Sequence, residues 1–393
     1  MVWYKVIGML GFCGEGSVFL EQLFHIFPKN RNFKKSTKTQ IMNRRDTKYL
    51  IAYLLPLSAY AAIYTGGIWS FAAIYLGFII IPVVELFVPQ SPENHPQTAE
   101  PERARARLFD YLLYFNVPLV YGLVGYFFYT LSQGGLAGYE ITGMTCSVGL
   151  ILGTAGINVA HELGHRADRF ERFLAKALLL PALYTHFIIE HNLGHHKHVA
   201  TPKDPATSRR GEPIYAFWFR SVIGGYFSAW RLEAARLERQ NKSALSLNNE
   251  MIRFTGLQLA YLAIVGWLFG WAWVPFAVAA AVFGFLMLES VNYIEHYGLQ
   301  RRQLESGRYE RVGPQHSWNS DHELGRIFLY ELTRHSDHHY KASRKYQILR
   351  HQDESPQLPT GYPGAILLSL VPPLWFRVMD KRVAKHNQQV GVN

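Results

Sequence analysis

The chain has 393 residues, of which 49% are hydrophobic and 15% aromatic, and this combination excludes one ordinary soluble domain. Its formal net charge of +11 arises from 40 basic and 29 acidic residues. Cys13 and Cys146 are the only cysteines, which excludes a disulfide scaffold and a cysteine-ligated iron centre within the chain. The composition therefore predicts an integral membrane protein.

Residues 1–43 form a basic N-terminal extension that lacks a signal-peptide cleavage pattern and that we expect to be poorly ordered. Residues 44–393 are predicted to form one membrane domain. Within it, six apolar segments approach the length of a membrane-spanning helix, which is about 17–25 residues. They lie at about residues 49–65, 68–88, 111–131, 136–159, 254–272 and 275–295.

Short, nearly uncharged turns connect these segments in pairs, at residues 65–67, 132–135 and 270–275, which predicts three helical hairpins. Basic residues such as Lys48 and Arg166 lie at the other ends of the segments. The positive-inside rule therefore places both termini and the long loops in the cytoplasm. The predicted fold is all-α and integral to the membrane, with six transmembrane helices and a cytoplasmic helical cap that carries the histidines.

Several further segments are not predicted to cross the membrane. Residues 89–107 are rich in proline and charge and are predicted to be a cytoplasmic linker. Residues 173–189 contain Pro181 and His186, so we expect a helix that is buried against the bundle. Residues 214–231 and 364–376 are expected to form helices that lie in the membrane interface.

Most of the 17 histidines lie in four short clusters that the orientation rule places on one side of the membrane. Spacings of three or four residues put members of a cluster on one face of a helix, so several imidazoles can converge on one cavity. Nine imidazoles exceed what one metal ion can use, so we predict two ions with four or five ligands each. The predicted ligands are His161, His165, His191, His195, His196, His296, His335, His338 and His339.

The other histidines are expected to have ordinary roles. We expect His186, His198, His316, His322 and His351 to be polar residues or partners of the ligands, and His25, His95 and His386 to face solvent. Carboxylates beside the predicted ligands are expected to orient the imidazole N–H groups, as the outer partners of metal-bound histidines usually do. These carboxylates are Glu162, Glu190, Glu295 and Asp337.

The stretch His161-Glu-Leu-Gly-His165 also matches the HExxH pattern of zinc peptidases, in which Glu162 would activate a zinc-bound water. A peptidase needs two histidines and one further ligand, which leaves about six clustered histidines unused. A pH sensor or a metal transporter is another alternative, but transport predicts more ligand residues inside the spans. Imidazole suits zinc, copper, iron and nickel, so ligand type alone does not select the metal.

Five segments together resemble the membrane alkane 1-monooxygenase (alkane omega-hydroxylase) family, which belongs to the histidine-box hydroxylases and desaturases. They are NVAHELGHR, EHNLGHHKHVATPKDPATSRRGE, NYIEHYGLQRR, HSWNSDH and RHSDHHYKASRKYQILR. The Asn-Tyr-x-Glu-His-Tyr-Gly element distinguishes this family from desaturases and sterol hydroxylases. The resemblance runs from about residue 44 to about residue 382, and it carries the family's iron ligands onto the same nine histidines.

This resemblance implies a non-haem diiron centre of two Fe ions and the conversion of the terminal methyl of an n-alkane into a primary alcohol with O2. It also implies electrons from NAD(P)H through a reductase and rubredoxin. The expected location is the inner membrane of a bacterium, with the active site on the cytoplasmic side and no nucleic acid partner. A fatty acyl desaturase or hydroxylase with the same histidine boxes is the main alternative.

Basic residues beside the histidine clusters are expected to form a docking face for an acidic electron carrier, although membrane topology and lipid headgroups account for part of this charge. They are Arg166, Arg209, Arg210, Arg301, Arg302, Arg334, Lys341, Arg344 and Lys345. The resemblance further implies that side chains of the second span line the substrate channel and limit substrate length. Alignment on Pro82 places Gly77 at the limiting position, with Phe78 as the alternative lining residue.

Overall fold

The structure is a computed structural model that describes residues 44–391, so the predicted extension at residues 1–43 lies outside the described residues. Residues 44–391 contain helices and isolated bridges but no β-strand, which confirms the all-α prediction for this part of the chain. The helices are α1 (Leu54–Thr65), α2 (Gly67–Glu85), α3 (Glu100–Arg105), α4 (Arg107–Gln133), α5 (Gly138–Gly164), α6 (Arg169–Leu179), α7 (residues 187–198), α8 (Ile214–Glu238), α9 (Glu250–Phe269), α10 (Trp271–His296), α11 (Glu323–Phe328), α12 (His335–Tyr340), α13 (Tyr362–Ser369) and α14 (Pro372–Val390). Separate 3-10 helices lie at Arg44–Tyr53, Gln97–Ala99, Pro314–His316 and Tyr346–Ile348.

Five of these helices, α2, α4, α5, α9 and α10, are long and apolar enough to cross a membrane. They correspond to the second to sixth predicted spans and indicate a multi-pass membrane protein. Large apolar side chains remain exposed on them, as lipid contact requires. Leu259, for example, is 63% exposed and Trp267 is 79% exposed.

The first predicted span, residues 49–65, is wrong as one continuous α-helix. Its α-helical part, α1, has 12 residues and is therefore about 18 Å long, which is short of the roughly 30 Å hydrocarbon core. The preceding 3-10 helix belongs to the polar part of the molecule, because Asp46 lies 2.8 Å from Arg103 and Lys48 lies 3.1 Å from Glu323. Within the predicted span itself, the Tyr49 hydroxyl donates a hydrogen bond of 2.5 Å to Glu331, a polar contact that the count of apolar residues ignored.

Proline breaks two of the other predicted helices. The axes of α13 and α14 differ by 120° at a break before Pro372, so residues 364–376 are not one helix. If α13 and α14 are counted together as one bent span, they form a sixth candidate span. In the segment 173–189, α6 ends at Leu179 and the chain turns at Pro181 before α7 begins, although its apolar side chains are buried as predicted. Residues 214–231 lie within α8, as predicted, whereas the predicted linker contains the short helix α3.

The centre of the bundle is α5, whose apolar window is 89% buried, against 17–44% for the other four spans. It crosses α10 at glycines: a Cβ on Gly149 would lie 2.8 Å from the Ala280 carbonyl oxygen, and one on Gly284 would lie 3.0 Å from the Gly149 carbonyl oxygen. Small residues let the two backbones approach closely, as at many helix crossings in membranes. Each helix continues from this crossing to a histidine near its C-terminus, His161 or His296.

Three stretches of π-helix interrupt the regular α-helical spacing, at Leu76–Ile80 in α2, Leu152–Asn158 in α5 and His191–His195 in α7. Such turns are rare and are frequent at functional sites. The first contains Gly77 and Phe78, the second ends three residues before His161, and the third contains predicted ligands. All three therefore coincide with regions that the sequence analysis singled out.

Candidate metal centre

The structure brings all nine predicted ligands together, and it divides them into two groups whose candidate ligand atoms lie within 4.8 Å of one another. In the first group, His165 and His196 are partly exposed, whereas every histidine of the second group is buried. The two groups adjoin, because the ring centroids of His196 and His339 are 4.5 Å apart. The first group contains His161, His165, His191, His196 and His338, and the second contains His195, His296, His335 and His339.

Within each group the imidazoles point their Nε2 atoms at one another. His338 Nε2 lies 2.9 Å from His161 Nε2, and His335 Nε2 lies 2.9 Å from His339 Nε2 and 3.2 Å from His296 Nε2. Two ligands at right angles, each about 2.1 Å from one metal ion, are about 3.0 Å apart. The spacing therefore fits one metal ion in each group.

The division between the groups follows from the local helix geometry. A π-turn closes its hydrogen bond over five residues, so residues i and i+5 lie on one face. His191 and His196 therefore share the first group, with their Nε2 atoms 3.0 Å apart, while His195 belongs to the second. In α12, the regular spacing of four residues pairs His335 with His339 and turns His338 to the first group.

Most of the imidazoles that lie outside the membrane spans are kept uncharged by burial. It lowers the pKa of His165 to about 4, assisted by repulsion from His195 and Arg166. Burial, followed by repulsion between neighbouring imidazoles, also holds the pKa values of His191 and His338 well below their ordinary range. Neutral imidazole is the form that binds metals, so the electrostatics suit metal ligation at neutral pH.

His195 has an acidic partner that the sequence analysis missed. Its Nδ1 lies 2.9 Å from Asp204 Oδ2, and Asp204 also accepts hydrogen bonds from the Thr207 hydroxyl at 2.6 Å and the Ala206 backbone N–H at 3.0 Å. Burial lowers the pKa of His195, but the charge and hydrogen bond of Asp204 outweigh it and leave the pKa raised. A proton held on Nδ1 leaves Nε2 free for a metal. The available signal was the Asp-Pro pair in the segment KDPAT, close after the second histidine cluster.

Two of the four predicted carboxylate partners, Glu162 and Asp337, form hydrogen bonds with arginines and with backbone groups of other segments. Glu162 accepts hydrogen bonds from Arg166, at 2.6 Å, and from the Tyr346 backbone N–H, at 3.2 Å. Asp337 accepts hydrogen bonds from Arg344 and from the backbone N–H of Arg350. Their hydrogen bonds in the described chain thus come from arginines, backbone N–H groups and, for Asp337, the Gln352 side-chain amide, since a buried carboxylate is best satisfied by a cation and by N–H donors.

The other two predicted partners lie closer to the second group. Glu190 lines a small pocket together with His195. Glu295 precedes His296 at the end of α10, and its Oε2 lies 3.2 Å from His335 Nε2. Each of these two carboxylates has one buried oxygen with no hydrogen-bond partner in the described chain.

The remaining histidines lie outside both groups. His95 is exposed, as predicted, and His25 lies outside the described residues. The prediction for His386 is wrong: its side chain is buried and its Nε2 lies 2.8 Å from the Gln315 carbonyl oxygen. Since Trp375, Met379 and Val383 of α14 pack into one buried apolar cluster, a residue seven positions after Met379 shares this buried face.

Comparison with known proteins identifies the family. The sequence model of the Fatty acid desaturase family matches residues 138–365. The chain is 41% identical to alkane 1-monooxygenase 2 of Pseudomonas aeruginosa over 346 residues. The matched region covers 85% of this chain and 90% of the relative. It is 40% identical to alkane 1-monooxygenase of Acinetobacter baylyi, over 79% of this chain and 76% of the relative. It is 39% identical to alkane 1-monooxygenase 1 of Alcanivorax borkumensis, over 87% of this chain and 86% of the relative.

The chain belongs to the alkane 1-monooxygenase family. The resemblance found in the histidine clusters is thereby confirmed, and the chain is assigned to the monooxygenases rather than to the peptidases or metal transporters. The geometry agrees, because Glu162, the general base of the peptidase hypothesis, is held by Arg166 in a buried ion pair of 2.6 Å.

An apolar cavity lies near the candidate metal centre of this alkane 1-monooxygenase family member, and none of the nine histidines is among its lining residues. Gly77, Phe78, Leu150 and Phe328 are among its lining residues, so both predicted channel residues face one cavity. Asn158, three residues before His161, and Tyr362, whose hydroxyl donates to Glu295, also line it. The cavity therefore extends between the π-turn of α2 and the helices that carry the histidines.

Proposed function

We propose that this chain hydroxylates the terminal methyl group of n-alkanes to primary alcohols, using O2 and electrons from rubredoxin. The observation that carries the proposal is the pair of adjoining histidine groups beside an apolar cavity, in a chain of the alkane 1-monooxygenase family. Each group would hold one iron ion, through five histidines in the first and four in the second. The proposed cofactor is therefore a non-haem diiron centre.

The donor set and the cavity suit this chemistry. When bound, the iron ions would supply the oxidising power that an unactivated C–H bond requires, since such a bond offers nothing to a general base or a nucleophile. The overall reaction takes an alkane, O2, two protons and two electrons to an alcohol and water. The chain's own residues bind the alkane in the apolar cavity, exclude water from it, and hold the imidazoles in place, as Asp204 does for His195.

Reconstituted activity tests the function. We expect the iron-loaded, full-length chain in lipid, supplied with octane, O2, NADH, a rubredoxin reductase and rubredoxin, to release 1-octanol with matching O2 consumption. A sample stripped of metal by chelation should be inactive and should recover on addition of Fe²⁺. If an acyl substrate gives an alkene while octane gives no alcohol, the chain is a histidine-box desaturase instead. Failure of the loaded chain to consume O2 with either substrate would contradict both.

We propose that the histidines face the cytoplasm in the inner membrane, where rubredoxin and its NAD(P)H-dependent reductase are present. Of the basic residues predicted to form the docking face, Arg166 and Arg334 are buried, so we leave them out of the proposed face. Arg344 forms an ion pair with Asp337, and Lys345 forms one with Asp110. The exposed basic residues of the predicted set are Arg209, Arg210, Arg302 and Lys341.

Membrane vesicles test orientation and docking together. In inverted vesicles, whose cytoplasmic face is outside, added rubredoxin and reductase should support octane hydroxylation, whereas sealed right-side-out vesicles should be inactive until permeabilised. Turnover at limiting rubredoxin should fall as salt rises from about 0.01 M to about 1 M, because the screening length drops from about 30 Å to about 3 Å. Equal activity in both kinds of sealed vesicle would contradict the orientation. An apparent rubredoxin affinity that does not change with salt would contradict electrostatic docking.

A further inference from the structure

The carboxylate of Glu295 lies buried at the second histidine group with half of its hydrogen-bonding capacity unused. Its side chain is 1% exposed, and Oε1 accepts a hydrogen bond of 2.7 Å from the Tyr362 hydroxyl. Oε2 has no hydrogen-bond partner in the described chain. Since a buried carboxylate oxygen without a partner is costly, the unpaired Oε2 indicates a missing cation or donor.

The position of Oε2 indicates which partner is missing. It lies 3.2 Å from His335 Nε2, an atom that also faces His296 Nε2 at 3.2 Å and His339 Nε2 at 2.9 Å. Glu295 Oε2 and His335 Nε2 do not form a hydrogen bond, so Oε2 does not lie on the line along which Nε2 would donate or accept one. The distance to His335 Nε2 matches that between two neighbouring ligands of one ion, about 3.0 Å at right angles, while Glu295 stands outside the set of four histidines whose ligand atoms all lie within 4.8 Å of one another.

A second carboxylate on the same helix provides the contrast. Glu289 is also buried, but its oxygens accept hydrogen bonds from the Tyr184 hydroxyl at 2.7 Å and the Ser221 hydroxyl at 2.5 Å. Both oxygens of Glu289 thus have hydrogen-bond partners in the described chain, which also include the Asn292 side-chain amide. Burial on α10 alone therefore does not explain the unpaired oxygen of Glu295.

We infer that Glu295 Oε2 is a fifth protein ligand of the second metal ion, in addition to His195, His296, His335 and His339. This inference rests on the proposed metal centre and extends it, because both groups then offer five donors. Mixed imidazole and carboxylate ligation is common for non-haem iron. Tyr362 is the positioning residue, since its hydroxyl holds Oε1 while its side chain also lines the apolar cavity.

Mössbauer spectroscopy of the full-length chain loaded with ⁵⁷Fe tests the assignment without relying on turnover. We expect two iron ions per chain in the wild type. In Glu295→Gln, the signal of one ion should change while the other stays the same, and the affinity for the altered ion should fall by more than the roughly 10–100-fold typical of outer partners. Glu295→Ala should bind one ion. Glu289→Gln is the matched control and should keep both signals.

Two further measurements keep the test decisive. The unchanged signal of the five-histidine group reports that a variant is folded. Tyr362→Phe keeps the carboxylate but removes its hydroxyl donor, and it should shift the same signal as Glu295→Gln. If both Glu295 variants retain two ions and both wild-type signals, Glu295 is not a ligand. If the wild-type chain itself binds no iron, the proposed function fails, and this result is distinct from a failure of the Glu295 assignment.

Discussion

Replacing His338 with alanine should remove one metal ion per chain and reduce octane hydroxylation below about 1% of wild type. Even outer partners of metal ligands cost about 10–100-fold when they are substituted, and His338 belongs directly to the first group, with its Nε2 2.9 Å from that of His161. His335→Ala should cause an equal loss of activity but remove the other ion, because His335 belongs to the second group. Iron content and Mössbauer spectra of both variants check the result.

The comparison between these two variants tests the division of the histidines rather than their general importance. They lie three residues apart on one short helix, so a merely local disturbance of α12 would affect both ions alike. His95→Ala, a change at an exposed histidine outside both groups, is the control and should retain two ions and full activity. Loss of the same ion from both alanine variants would contradict the assignment of five and four ligands.

Gly77→Trp should abolish most activity on long alkanes while octane hydroxylation and iron content change little. Gly77 lines the apolar cavity, and a Cβ at this position would lie 3.0 Å from Leu150 Cδ2 and 3.9 Å from Leu55 Cδ1, both of which line the same cavity. An indole must therefore enter the cavity or displace these side chains. Excluding three methylene groups would cost about 2.4 kcal/mol of burial, which is roughly a 50-fold loss of specificity.

The measurement is kcat/KM for a series of n-alkanes from octane upward, with the iron content determined on the same samples. Gly125→Trp is the matched control, since Gly125 lies on α4 outside the cavity lining and a Cβ there has no neighbour within 4 Å. It should affect all chain lengths equally and weakly. Equal losses at every chain length for Gly77→Trp would assign Gly77 to helix packing, for which its close approach to Leu150 is also suited.

Local sequence patterns were sufficient for five of the six predicted spans and for the identity of the histidines that converge. Apolar length predicted α2, α4, α5, α9 and α10, because a membrane-spanning helix satisfies its own backbone and needs only enough apolar residues. The nine histidines were recognisable since they occur in clusters with helical spacing and since buried imidazoles in such number require a common partner. The same local counting failed at residues 49–53, which belong to a 3-10 helix and where the Tyr49 hydroxyl donates a hydrogen bond to the buried carboxylate of Glu331.

Only the tertiary structure decided how the histidines are shared. Spacing alone pairs His191 with His195, but the π-turn in α7 pairs His191 with His196, and such a turn is set by packing that no local pattern reports. The partners across the site, such as Asp204 on His195 and Glu295 beside His335, likewise depend on where separate elements meet. The sequence by itself thus determined which residue types gather at one side of the bundle. The three-dimensional packing determined which group each one joins, because ligation depends on distances of about 3 Å between residues that are far apart in the chain.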